Sequence, residues 1–334
     1  MSITLSIDSA EKFNLSLQQN YVPIINGIQL DNGDELDYEN IELKISSEPP
    51  ELISGTVTIS LIRATELRRV ENPRVRYSWT FLESLQERIR GIVIVEACNV
   101  EGKVLASTHE EILVEPKNVW LGQAAPLELL CAYIQPNVEA IQPIIRRAGE
   151  LLNESTGDSA INAYQTNNRS RVYLIAQAIY LALREKNITY ARAPASFERL
   201  GQKIRTHTSL IDGGVGNCLD IALLYAACLE QAGINSLVFL VEGHAFSGFW
   251  LENKFLPRSL EEDAQFFRKR IELDEIVALD VVGVSSEQSF SFKELVKEAK
   301  SMFDAEEKFE VAVDVKHCRE LNKIHPINDR QDFD

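Results

Sequence analysis

The chain is short of positive charge. Its 334 residues carry 34 Lys and Arg against 50 Asp and Glu, a formal net charge of -16. General nucleic-acid binders and membrane-surface binders both need basic faces, so the balance argues against either role. Arg-rich pieces do occur at Arg63 to Arg76 and at Phe267 to Arg270, but acids flank them and they read as solvated faces. No run approaches the roughly 20 apolar residues of a membrane-spanning helix. The first residues, MSITLSIDSAEKF, lack the basic and apolar regions of a secretory leader. Cysteine is sparse and unpaired in pattern: Cys98, Cys131, Cys218, Cys228 and Cys318 are an odd, scattered set without a CxxC pair. That excludes a disulfide scaffold or a zinc site of the usual spacing and suits a reducing compartment. The expected location is the cytoplasm. Walker A, HExxH and strand-following glycine fingerprints are missing too, so no metal, nucleotide or redox cofactor is expected. There are no internal repeats and no low-complexity stretches.

What is present is an ordinary globular composition with ample apolar residues for one large or two medium domains. Residues 1 to about 115 read as strands. Ile3 to Ile7, Ile41 to Ile45 and Val57 to Leu61 alternate apolar and polar. Asp31 to Asp34 and Asn99 to Gly102 carry turn signals, the second between Ile92 to Cys98 and the run from Val104. The pattern predicts a β-sandwich over residues 1–116, interrupted by a short helical or irregular piece at Arg88 to Arg90. It holds no catalytic constellation and reads as an interaction or packing module. Glu115 to Gly122, with one Trp between Pro and Gly, reads as a boundary opening a second domain over 117–334.

Beyond the boundary the period becomes helical in Pro126 to Ala132, Val138 to Leu152 and Arg171 to Lys186. Asn153 to Ser170 is a polar link. Asp212-Gly-Gly-Val-Gly-Asn217 then delivers Cys218 to a helix that is apolar on every side through Leu229, and such a helix must be buried. Gly233 ends it. Strands are expected at Ser236 to Glu242, Ala245 to Leu251, Glu275 to Val282 and Phe309 to Val315, the last closing the sheet. A charged insertion, 253–273, has helical spacing near Ala264 to Ile271, and Phe292 to Phe303 is amphipathic. The fold class is therefore α+β, with a central helix packed on an antiparallel sheet.

Cys218 opens that helix, His244 joins two strands, and Asp280 lies within a third. A helix N-terminus stabilises a thiolate. A thiol nucleophile needs a base, and the base needs a group to orient it. Each residue also has a plainer reading. Cysteines on apolar helices are usually inert core, as Cys228 is expected to be, and a strand histidine is usually packed or solvated. Cys218 differs by following a glycine-rich turn, and His244 by its small neighbours. Asp280, a carboxylate in an apolar run, needs a partner, and His244 is the obvious one. Asp220 reads instead as a first-turn residue, and Glu242 as lying on the opposite strand face.

The boxes GVGNCLDIALLYAACLEQAGI, LVEGHAF and IVALDVV resemble the transglutaminase-like superfamily, whose members share a papain-like cysteine-peptidase core. Within it, the chain is most similar to the module preceding helicase and nuclease domains in large bacterial proteins, over nearly its whole length. Phe246 stands where the superfamily often has Trp. The resemblance implies Cys218 as nucleophile, His244 as base and Asp280 as orienter. The Cys218 backbone N–H is one oxyanion donor, and a papain-type comparison offers Gln202, with Asn217 as the other candidate. It implies an intracellular hydrolase of peptide or amide bonds, working alone or with a separate ATPase or helicase partner. A catalytically silent recognition module and an enzyme cross-linking amides to lysine are the alternative readings.

Overall fold

The computed structural model describes residues 3–285 and 290–327. The chain is α+β and divides into two compact units, Met1–Val119 and Trp120–Asp334. The division falls after Val119, against an expected 116, and the Asn14 side-chain amide donates to the Val119 carbonyl (2.7 Å) within the first unit.

The first unit contains β1 (Ile3–Ser9), β2 (Lys12–Phe13), α1 (Leu15–Gln19), β3 (Ile25–Asn32), β4 (Tyr38–Glu48), β5 (Ile53–Ile62), β6 (Leu67–Glu71), β7 (Arg76–Tyr77), α2 (Trp79–Ser84), β8 (Ile89–Cys98) and β9 (Val104–Val114). They form a six-stranded sheet, in the order β2-β9-β8-β4-β5-β7, and a three-stranded sheet, β1-β3-β6. Alternation decides which side chains are inside. Ile41, Leu43 and Ile45 of β4 and Val93, Val95 and Ala97 of β8 are buried on one face. The turn at Asn99 closes the β8–β9 hairpin, with the Asn99 N–H donating to the Lys103 carbonyl (3.0 Å). Of the irregular piece expected at Arg88 to Arg90, only Arg88 lies outside a strand; Ile89 and Arg90 begin β8. Arg88 is held there by Glu115 (2.7 Å), and the short helix lies earlier, at Trp79–Ser84, where Ser78 caps it. A second short helix, α1, capped by Asn14, escaped the strand pattern because five residues hold no helical period.

After β10 (Val119–Trp120), the second unit runs α3 (Gln142–Thr156), α4 (Arg169–Arg184), β11 (Thr189–Tyr190), α5 (Phe197–Leu200), β12 (Gln202–Lys203), α6 (His207–Gly213), β13 (Val215–Gly216), α7 (Cys218–Gln231), β14 (Ser236–Val241) and β15 (His244–Trp250). It ends with β16 (Leu260–Glu261), α8 (Ala264–Glu272), β17 (Ile276–Leu279), α9 (Phe292–Ser301), β18 (Phe309–Asp314) and α10 (Val315–Glu320). The stretch Leu127–Tyr133 is a 3-10 helix rather than α. Pro143 sits in the first turn of α3, which needs no N–H there.

The main sheet has the order β16-β18-β14-β15-β17, and every pairing in it is antiparallel. β18, expected to close the sheet, is internal: it pairs with β14 on one side and with β16, from the charged insertion, on the other. One face carries α7, fixed by the Ser247 hydroxyl donating to the Ala222 carbonyl (2.9 Å). The other face carries an aromatic core. Phe239 stacks on Phe246 (4.9 Å between centroids) and meets Phe267 and Phe303 edge-on at 5.1 Å each. Phe267 comes from α8, so the insertion supplies core and an edge strand. Among the described residues, no helix is long and apolar enough to cross a membrane.

Phe239→Ala would remove the ring that four others meet, Phe246, Phe267, Phe303 and Phe309. It is expected to cost about 3–5 kcal/mol, read as a lower urea midpoint of the full chain.

Candidate active site

A buried helix start cannot leave its first N–H groups to water, so α7 begins with a cap built from its own sequence. The Asn217 side-chain Oδ1 accepts from the Asp220 N–H (3.0 Å), and the Asp220 carboxylate accepts from the Asn217 N–H (3.1 Å), a reciprocal capping box. Asp220 has no exposed surface, and its charge is met by the Arg205 guanidinium (2.7 Å) and the Arg205 N–H (2.9 Å). Asp220 is therefore occupied with the helix start and is not an orienter of His244. Gly214, at φ +61, turns the chain out of α6 in a conformation that a side chain would strain. Gly216 leaves no room for a Cβ, which would collide with Leu210. These constraints set Cys218 as the first residue of α7, with 0% of its surface exposed.

His244 is the first residue of β15, placed by its pairing with Val241 across a turn at Gly243. Its Nε2 lies 3.2 Å from Asp280 Oδ2. Asp280 is not inside a strand, as its apolar flanks suggested. It follows β17 and caps the 3-10 turn Val281–Val284, with Oδ1 accepting from the Val282 N–H (3.1 Å). One carboxylate oxygen is thus fixed by backbone, which leaves the other for the imidazole. His244 also hydrogen-bonds Cys218. Burial disfavours the charged ring, but the hydrogen bonds and negative charges of Asp280 and Cys218 outweigh it and hold His244 up to about 10. An imidazolium at neutral pH is the counter-charge a thiolate requires.

The three residues singled out in the sequence are therefore brought together. Gln202 and Asn217 also come to the nucleophile's loop, but they face each other. The Asn217 amide donates to Gln202 Oε1 (2.9 Å), and the Gln202 amide donates to Asn217 Oδ1 (3.3 Å). Asn217 is chiefly the cap of α7. Cys228 is inert core, its buried thiol pushed well up by desolvation.

The sequence reading missed Tyr190. β11 runs parallel to β13, with Tyr190 opposite Gly216, and the Tyr190 hydroxyl hydrogen-bonds Cys218. Burial, then the charge and hydrogen bond of Cys218, push this phenol up to about 12. A bridge from Ile188 to Ser285 ties the same segment to the chain just after Asp280. The strand-like run Ile188-Thr-Tyr190 was the only local signal. Among the described residues, no group of three His, Cys, Asp or Glu is placed to hold a metal ion.

No protein-family model matches this chain, and no curated protein matches it. Among solved structures, the sporulation control protein Spo0M of Bacillus subtilis is 12% identical over 43% of this chain and 54% of its own, with a TM-score of 0.18. A provisionally assigned protease from Parabacteroides distasonis is 11% identical over 74% of this chain and 64% of its own, with a TM-score of 0.21. A family 76 glycoside hydrolase from a bovine Bacteroides thetaiotaomicron strain is 11% identical over 69% and 48%, with a TM-score of 0.16. This chain spans less than two thirds of each. Likenesses of this size carry neither fold nor chemistry across.

The charge on His244 makes a pH prediction. A folded value of about 10, against an ordinary 6.5, contributes stability that is complete below pH 6.5 and is lost as pH rises through 10. The stability difference between the native protein and His244→Gln, from urea unfolding, is expected to shrink steadily across that window. A constant difference would show that the ring is not held charged.

Proposed function

We propose that the second unit is a transglutaminase-like domain with a papain-like thiol site, hydrolysing peptide or amide bonds of a protein or peptide substrate, and that the first unit is a β-sandwich interaction domain. The observation that carries the reading is the double engagement of His244, with Asp280 on Nε2 and a further hydrogen bond to Cys218. The start of a buried helix adds its dipole to the same sulfur.

In this reading, Cys218 Sγ bonds to the substrate carbonyl carbon while the oxyanion is met by the Cys218 N–H. The Gln202 amide is the candidate second donor. The C–N bond breaks, and the amine leaves with a proton from His244, which gives a thioester. Water then passes a proton to His244 and bonds to the carbonyl carbon. The C–S bond breaks, releasing the acid and restoring the thiolate beside the imidazolium of His244. Asp280 holds the ring and stabilises its charge throughout. An acceptor lysine in place of water would give amide transfer. A separate ATPase or helicase remains the partner this resemblance suggests.

One observation favours the silent recognition module instead: Cys218 is fully covered, with the Tyr190 hydroxyl against it. Alkylation separates the two. Iodoacetamide at about pH 6, followed by intact mass and peptide mapping, is expected to mark Cys218 first. His244→Ala should slow that reaction by about tenfold or more, since the thiolate loses its counter-charge. If Cys218 is no faster than the other cysteines, even in Tyr190→Phe, the enzyme reading fails.

A further inference from the structure

The Arg-rich stretch that read as a solvated face contributes to a built feature of the first unit. In a chain of net charge -16, a cavity of about 750 Å³ is lined by three cations, Lys44, Arg74 and Arg76, and by no carboxylate. Ser54, Gly55 and Thr56 of β5 form part of its wall. Arg74 and Arg76 are exposed and enter no ion pair among the described residues. Lys44 has a loose, exposed contact with Glu42 at 3.8 Å and lies opposite Glu96 of β8.

Register explains the grouping. Lys44 lies opposite Thr56, and Arg76 opposite Ser54. Side chains of paired residues share a face, so both cations stand with both hydroxyls on the outer side of the sheet. Thr58 and Ser60, at the same parity, continue that hydroxyl row along β5 and are exposed. β7 covers only Ile53 and Ser54. From Gly55 to Ile62, the outer edge of β5 has no strand partner among the described residues. An open edge offers its N–H and C=O groups to an incoming extended chain, and alternate side chains of that chain would meet whatever lies beside the edge.

We infer that the outer edge of β5 binds an extended acidic segment of a protein partner as an added strand, with its carboxylates on Lys44, Arg74 and Arg76. Main-chain pairing supplies the register and the cations select the charge. Charged side chains also guard edges against pairing. A guard role is the outcome in which no acidic strand binds.

The test uses the full chain and a fluorescein-labelled peptide of alternating Glu and Val, followed by anisotropy. Saturable binding that weakens with salt is expected. Arg74→Glu and Arg76→Glu should each weaken it by about tenfold, with an unchanged circular dichroism spectrum. Because those changes touch the protein, a second arm alters only the probe: N-methylation of alternate peptide bonds removes the donors that pair with an edge, and should abolish binding. Equal binding of a Thr-Val peptide, unaltered binding of the N-methylated probe, or displacement by millimolar inorganic phosphate would each overturn the inference. The last would reveal a simple oxyanion pocket.

Discussion

The first turn of α7 governs the second unit. A helix buried from Cys218 through Leu229 has no water to satisfy its N-terminal N–H groups, so the chain must provide the acceptors itself. Asn217 and Asp220 do so reciprocally. Their solution buries a carboxylate, which then needs Arg205, and it orients the Asn217 amide, which then pairs with Gln202. Four residues are thus committed before any chemistry is considered. Their combined effect is that the backbone of Cys218 is fixed at the first position of the helix. His244 and Asp280 have only to arrive from the sheet.

They arrive by a second, simpler device. Both sit at element ends on neighbouring strands of one antiparallel sheet, where the side chain of a terminal residue projects past the packed layers. Asp280 is the more instructive of the two. Its capping bond to Val282 removes one oxygen from use and leaves the other aimed at the imidazole. A carboxylate with both oxygens free in that position would have two orientations to choose between.

Much of this was legible in the sequence, and what was not has physical causes. The buried helix announced itself because Ile221 to Leu229 has no polar face, and the glycine turn before Cys218 marked its start. Asp280 was located but misplaced into a strand, since Ile276 to Val284 is apolar on both sides of it and nothing marks where pairing stops. Strand order was not readable: β18 is internal because of how the insertion folds back, and pattern along a strand is silent on its neighbours. Tyr190 was invisible for a related reason. It reaches Cys218 through a two-residue parallel pairing between segments distant in sequence, and no periodicity reports such a contact.

The internal position of β18 has a consequence for how the second unit is made. Its sheet cannot be completed until Phe309 to Asp314 has left the ribosome, since β16 pairs only with that strand and β14 needs it on one of its two edges. Until then β14, every residue of which is buried in the finished fold, has one unsatisfied edge, and Phe239 lacks its neighbours Phe303 and Phe309. Long-range antiparallel closure of this kind is slow, and the waiting chain exposes apolar surface. The residues that complete the sheet beside the thiol helix are thus among the last of the unit to be made.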